Sequence, residues 1–322
     1  MTTPSLVIVT PALASANNGN WQTARRWAQF LKSDYRVRIA ERWEGGDEAL
    51  MIALHARRSA ASVAAWRAAH PQRPLLLVLT GTDLYRDIGS DVQAQASLRM
   101  ADALLVLNEL GLQSLPTELR GKARVLLQSS TPIRPRAKTG RHLRALMVGH
   151  LRDEKSPQTY FEAARLLACR SDILLDHVGA GLDPALADQA RSLMREQPRY
   201  RWLGALPHAA TRRRIAAAHV LVHASRMEGG AHVVIEAVSS GTPVLVSRID
   251  GNLGLLGRDY PGVFNWGDAA ALATLLARAR DDAAMLAALR ERCDARAPLF
   301  LPQAERQALH AQVARLLSPP HP

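Results

Sequence analysis

Twelve short runs, most of them continuously apolar, separated by stretches of helical periodicity, restrict this chain more than any other feature. The runs fall at 5–10, 36–40, 49–54, 74–80, 103–107 and 124–127, then at 143–148, 173–178, 200–203, 219–223, 243–247 and 262–264. Amphipathic stretches such as 20–32, 57–69, 156–168 and 184–196 lie between them. A strand exposed on one face alternates polar and apolar residues, whereas an unbroken apolar strand is buried on both. The pattern predicts an α/β protein with parallel sheets covered by helices on each side. After the sixth run the polar, basic, proline-containing stretch SSTPIRPRAKTGRH (129–142) reads as a linker. Two domains of similar size are expected, 1–135 and 136–302, facing each other. Ligands of such sheets gather at the carboxyl ends of the strands, so the expected site is the cleft between the domains.

Composition narrows the function classes. With 322 residues, 48% of them hydrophobic, each domain can bury its own core. The net charge is +12, from 41 basic and 29 acidic side chains. Only Lys32, Lys122, Lys138 and Lys155 are lysines, so most of the charge is arginine. A basic surface suits nucleic acid, an anionic membrane or phosphorylated small molecules. The arginines are scattered rather than blocked, and aromatic residues make up only 5%, which disfavours nucleic acid. Cys169 and Cys293 have no metal-site spacing, and a reduced, cytoplasmic protein is expected. The opening SLVIVTPALASA imitates a signal peptide, but no positive charge precedes it and Pro11 cuts the apolar run. It reads as a first buried strand, and no run is long enough for a membrane span.

Two stretches carry chemistry. In MEGGAHVVIEAVSSGTPVLVS (227–247) a strand precedes Glu228, Gly229 and Gly230, a helix carries Glu236, and Gly241 stops that helix. A carboxylate in such apolar surroundings needs partners. Glu228 and the glycines are expected at the helix N-terminus, where free amides favour an anion and glycine lets a ligand approach. Glu236 suits paired sugar hydroxyls, or a neighbouring arginine that satisfies it. In ALMVGHLRDEKSPQTYFEAARLL (145–167) a strand ends at Gly149 and a loop carries Arg152 and Lys155. A guanidinium fork and an ammonium on one loop suit a diphosphate, and the alternative is internal pairing with Asp153 and Glu154. VGAGLD (178–183) lacks the third glycine of a dinucleotide fingerprint.

The strand–Gly–x–x–Arg–x–x–Lys loop, followed by Glu–seven residues–Glu and SGTPVLVS, resembles the retaining nucleotide-sugar glycosyltransferases of GT-B fold. The resemblance spans the chain and is strongest over 143–250. It implies that Arg152 and Lys155 grip the donor diphosphate beside Gly149, and that Glu236 takes the ribose hydroxyls. It gives Glu228, with the amides of Gly229, Gly230 and Ala231, the sugar hydroxyls and a phosphate. LGALPHAA (203–210) would contact the base near Leu206 and Pro207, and a last helix within 303–322 would return to the first domain. Departures are visible too. The usual Glu–Gly–Phe–Gly is Glu228-Gly229-Gly230-Ala231, Gly254 replaces an acidic residue, and Thr80-Gly81-Thr82-Asp83 stands where relatives often have His–Gly–x–Asp. No Asp–x–Asp occurs, so neither a metal nor a cofactor is expected.

At the level of single families, ANNGNWQTARRWA (16–28), LTGTDLYRD (79–87), GHLRDEKSP (149–157) and HASRMEGGAHVVIEA (223–237) look like the selenosugar synthases of selenoneine biosynthesis. That resemblance implies transfer from UDP-N-acetylglucosamine or UDP-glucose to selenophosphate, giving a 1-selenosugar, UDP and phosphate, with hand-off of the product to a downstream enzyme. An anionic selenium needs no base to become a nucleophile, so threonine in place of histidine is compatible with it. Asn18, Gly19, Asn20, Thr80 and Thr82 are the expected acceptor residues, with Arg25 and Arg58 as weaker candidates. A hydroxyl-acceptor transferase and a non-catalytic sugar-nucleotide sensor remain the alternatives.

Overall fold

The computed structural model describes residues 3–13 and 19–318. Each of the twelve apolar runs forms a strand, and the chain divides into two compact units. The first takes the chain through Gln128, the three residues Glu228–Gly230, and everything from Pro302 on. The second is Ser129–Met227 with Ala231–Leu301.

In the first unit β1 (Ser5–Val9), β2 (Arg36–Ala40), β3 (Leu50–Leu54), β4 (Leu75–Leu79), β5 (Ala103–Val106) and β6 (Ala123–Val125) form one parallel sheet, in the order β2-β1-β3-β4-β5-β6. Its helices are α1 (Gly19–Leu31), α2 (Ala60–Ala69), the single turn α3 (Ile88–Ser90) and α4 (Val92–Met100). Successive side chains of a strand point to opposite faces. Val7, Met51, Ala53, Leu77 and Val106 therefore pack with Val63, Trp66 and Leu98, from α2 and α4. Leu6, Ile8, Ile52, Leu76 and Leu105 pack on the other side with Ala24, Trp27 and Leu31 of α1. Both faces are covered, which accounts for strands with no polar alternation.

The second unit contains β7 (Leu143–Val148), β8 (Ile173–Val178), β9 (Tyr200–Trp202), β10 (Val220–His223), β11 (Val244–Ser247) and β12 (Val263–Phe264), again all parallel. Their order is β12-β11-β10-β7-β8-β9. The helices are α5 (Pro157–Leu166), α6 (Pro184–Glu196), α7 (His208–Ala217), α8 (His232–Val238), α9 (Asp250–Leu256), α10 (Ala269–Asp281) and α11 (Ala283–Arg296). Neighbouring β7 and β10 send their connections in opposite directions. The loops after them therefore open at the point where the strand order reverses, the usual ligand position in such sheets.

The last helix, α12 (Pro302–Leu317), belongs to the first unit, where Leu309 and Val313 join the core beside α1. Glu305 fixes it there. This carboxylate is buried, and it accepts from Arg26 Nε at 2.9 Å, Arg26 Nη2 at 3.0 Å and Trp27 Nε1 at 2.7 Å. Removing one partner of a buried pair leaves the other charge stranded, at a cost of about 3–5 kcal/mol. Glu305→Ala should destabilise the first unit by about that amount in chemical denaturation, with little change in the slope of the transition.

Candidate active site

In the second unit the loop after β7 is built around Gly149. Its carbonyl accepts from His177 Nε2 at 3.1 Å, and a Cβ on Gly179 would lie 1.9 Å from that same oxygen. Gly179 of the VGAGLD stretch therefore serves close backbone packing beneath the loop. The Lys155 stem lies over Gly149, 3.4 Å from where a Cβ would be. Asp153–Lys155 form one 3-10 turn, Ser156 is left-handed with φ 48°, and Pro157 starts α5. Arg152 is half exposed, with its Nε 3.9 Å from Glu154 Oε2, too far for a hydrogen bond.

Arg226, which the sequence did not single out, ties this loop to the one after β10. Its backbone N–H donates to Glu154 O at 3.0 Å and its Nη2 lies 3.0 Å from Asp153 Oδ2. The guanidinium also sits over the Trp266 ring, 5.7 Å from its centre, and Trp266 Nε1 donates to Ser156 Oγ at 2.8 Å. Asp153 is thereby drawn towards Arg226, and Arg152 and Lys155 project from a braced turn.

Glu236 is 4% exposed, in the middle of α8. Its partners are histidines, where the alternative reading had an arginine. Oε1 takes His208 Nε2 at 2.5 Å and faces His232 Nδ1 at 3.4 Å, with Arg212 Nε at 3.9 Å. Burial alone would raise this carboxyl, but the bonds from His208 and His232 outweigh it and hold it down to about 2. Pro207 precedes α7, and its carbonyl accepts from Thr211 N at 3.0 Å. Lacking an N–H, Pro207 offers no backbone donor at this position.

Glu228, Gly229 and Gly230 lie earlier than expected relative to the helix, since α8 starts only at His232 with Ala231 at its cap. They count with the first unit, at the carboxyl ends of β4 and β5. Gly229 O accepts from the buried Asn108 Nδ2 at 2.7 Å. A Cβ on Gly229 would lie 2.4 Å from Thr80 C, and one on Gly81, whose φ is +142°, would lie 2.8 Å from Gly229 N. The room made by these two glycines is thus taken up by their own backbones crossing. The crossing sets the Glu228–Gly229 backbone against that of Thr80 and Gly81.

Asp83 shapes that backbone. Fully buried, it accepts from Thr80 N and Gly81 N through Oδ1 and from Ala56 N through Oδ2, each at 2.9 Å. His55, also missed in the sequence, follows β3 with the left-handed φ of 75°. Its Nε2 is 3.0 Å from Thr82 Oγ1, and Arg58 N–H donates to its Nδ1 at 3.4 Å. Burial is the main reason its pKa falls below the ordinary 6.5, and Arg58 and Arg57 lower it further against the opposing pull of Asp83 and Asp87. The ring is therefore neutral at neutral pH, and Nδ1 as acceptor makes Nε2–H the donor to Thr82. The Thr82 hydroxyl proton is left to point elsewhere.

Gly19 and Asn20 open α1, and Asn18 lies outside the described residues. Gln128 reaches from Thr23 in that first turn, at 2.6 Å, to the place a Gly230 Cβ would occupy, 2.9 Å from its Oε1. Arg25 and Arg58 are exposed, and Arg58 acts here through its backbone. Among the described residues no three His, Cys, Asp or Glu side chains are grouped to hold a metal ion, and no helix is long and apolar enough to cross a membrane.

Two parallel-sheet units, one with cationic and acidic loops at its switch point, define the GT-B architecture of sugar-nucleotide enzymes. The sequence model of the glycosyl transferases group 1 family matches residues 132–299, more than half of the chain, and the protein belongs to that family. Its fold is similar to that of sucrose-phosphate synthase from Thermosynechococcus elongatus, with 18% identity over 98% of this chain and 99% of that one and a TM-score of 0.76. It is also similar to HepE from Anabaena, solved with UDP-glucose, with 13% identity, 97% and 99% coverage and a TM-score of 0.77. The pneumococcal O-GlcNAc transferase GtfA, solved with UDP and GlcNAc, shares 15% identity over 84% of this chain and 57% of its own, with a TM-score of 0.66. No curated protein matches the chain in sequence.

The His208–Glu236 pair makes a pH prediction. The hydrogen bond that His208 donates to Glu236 raises His208 above its ordinary 6.5 despite partial burial. A raised folded pKa means the pair's contribution is complete below about pH 6.5 and fades as pH rises through the folded value. The lowered carboxyl acts oppositely, its contribution present above the ordinary 4.5 and lost as pH falls through about 2. Histidine resonances followed by NMR should show His208 titrating above 6.5, and returning towards 6.5 in Glu236→Gln.

Proposed function

We propose that this glycosyltransferase transfers the sugar of a UDP-sugar, UDP-N-acetylglucosamine or UDP-glucose, to selenophosphate in selenoneine biosynthesis. The C1–O bond to UDP breaks, its electron pair leaving with the diphosphate, and selenium forms the new bond to C1. Water cleaves the P–Se bond, so the products are a 1-selenosugar, UDP and phosphate. Arg152 and Lys155 meet the charge that develops on the leaving diphosphate, with Lys155 stacked over Gly149 and Arg152 held near the turn. Glu236 takes the ribose hydroxyls, Leu206 and Pro207 border the base, and Ala231 continues the donor side. Glu228, with Gly229 and Gly230, holds the sugar. No metal is assigned to the diphosphate, and the selenosugar is handed to a downstream enzyme in the cytoplasm.

The observation that carries the acceptor assignment is the His55–Thr82 pair. An alcohol acceptor needs a base, but a buried neutral His55 that donates through Nε2–H offers Thr82 no base. What the loop offers is hydrogen-bond donors, from Thr80, Thr82 and the start of α1 at Gly19 and Asn20. Donors without a base fit an acceptor that arrives already anionic. HepE and GtfA, solved with UDP-glucose and with UDP and GlcNAc respectively, support the uridine donor.

Purified protein incubated with each UDP-sugar, with and without selenophosphate, should release UDP only when selenophosphate is present, and mass spectrometry should find the selenosugar. UDP release with an ordinary alcohol instead identifies a hydroxyl-acceptor enzyme, and binding without turnover identifies a sensor. Activity should persist in excess EDTA. Lys155→Ala and Arg152→Ala should each lower kcat/KM about ten- to a hundredfold, the loss of one charge-assisted phosphate contact of about 1.5–3 kcal/mol.

The glutamates divide the donor between them. Glu236→Gln should weaken UDP and UDP-sugar alike, through the ribose they share. Glu228→Gln should spare UDP and impair UDP-sugar turnover, each loss being about 1–3 kcal/mol. Calorimetry with both ligands separates the roles, and equal effects on UDP affinity would show the division to be wrong.

A further inference from the structure

A second basic site lies in the second unit, on the face of the sheet under α7. A cavity of about 300 Å³ is lined by Arg136, Arg144, Asp176, Arg213 and Arg214, with Leu146, Ala210 and Ala217 as its apolar walls. Asp176 is 1% exposed, and its two oxygens are taken by Arg201, at 2.8 Å from Nε and 3.0 Å from Nη2. Arg144 and Arg214 reach only to 3.9 Å from the same carboxylate, beyond hydrogen-bond range. Arg144 Nε is buried there without any hydrogen-bond partner. Among the described residues no ion pair is formed by Arg136 or Arg213. Three guanidinium groups, of Arg144, Arg201 and Arg214, thus surround one carboxylate, and those of Arg136 and Arg213 add to the cavity lining without a partner carboxylate.

Like charges gathered around a concave, partly desolvated surface raise the local potential and draw in counter-charge. A buried guanidinium N–H with no acceptor is a further deficit, of the kind an oxygen ligand removes. From this geometry we infer a binding site for a small phosphate-bearing anion, a phosphomonoester or diphosphate, bound by the forks of Arg144, Arg213 and Arg214. Guanidinium forks match phosphate oxygens bidentately, and the volume suits a ligand of that size. The lining has no aromatic ring, so a nucleobase or single-stranded nucleic acid would find nothing to stack on.

The site is distinct from the loop that carries Arg152 and Lys155. Arg144 lies near the start of β7 and Gly149 just past its end, five residues on. At a strand's rise of about 3.3 Å per residue they are roughly 16 Å apart. The inference stands whether or not the chain transfers sugar, because no residue of the glycosyl-transfer reading lines the cavity.

The test uses the full chain carrying Arg152→Ala and Lys155→Ala, which removes the cations of the other loop. Inorganic pyrophosphate is titrated by calorimetry at fixed ionic strength. One anion should bind, and adding Arg213→Gln should weaken it at least tenfold, with Arg144→Gln weakening it further. Arg213 holds no ion pair, so its variant reads the site even if loss of Arg144 disturbs the fold around Asp176. No binding of pyrophosphate, or binding unchanged by both substitutions, overturns the inference. So does the opposite selectivity, a short single-stranded oligonucleotide bound through these arginines while pyrophosphate is not.

Discussion

Everything in this protein follows from burying both faces of a parallel sheet. Parallel neighbours need crossover connections, and the crossovers supply the helices that cover the faces. Once covered, a sheet offers ligands only the ends of its strands, and a parallel sheet places all its carboxyl ends together. The loops at Gly149 and at Arg226 open side by side because β7 and β10 are hydrogen-bonded neighbours. Those at His55 and at Thr80 do so because β3 and β4 are.

Buried carboxylates then organise what the strand ends present, each by a different pairing. Asp83 accepts three backbone amides and sets the shape of the Thr80–Asp83 turn. Glu236 takes His208 and His232. Glu305 takes Arg26 and Trp27 and anchors the last helix. A buried carboxylate is costly unless it is satisfied, so such groups persist where they fix geometry or meet a ligand. Asp176 differs from the rest. Its partners outnumber it, and the excess positive charge around it marks the arginine cavity.

The legible part of the site was the part carried by local pattern. Arg152, Lys155 and Gly149 sit on one short loop, and Glu228 and Glu236 flank a helix start, so spacing alone placed each near a strand end. His55 and Arg226 were not legible. One lies in ALHARRSA among other basic residues and acts through a left-handed backbone and a threonine 27 residues away. The other is one arginine among many, and its value comes from Asp153 and Trp266, both far off in sequence. Gly229 was visible, but not that its missing side chain makes room for the Thr80–Gly81 backbone.

The sequence by itself determined the elements, because an unbroken apolar run, a helical period and a glycine or proline stop act over a few residues. It therefore specified twelve strands, two sheets' worth of parallel structure and the loops bearing cations and acids. Only the tertiary structure decided which partner each buried charge has. That choice depends on strand order, which brings His208 to Glu236 and Arg201 to Asp176 across 28 and 25 residues. Ion pairs and hydrogen bonds are made at distances of about 3 Å, and no local pattern encodes which distant residue arrives there.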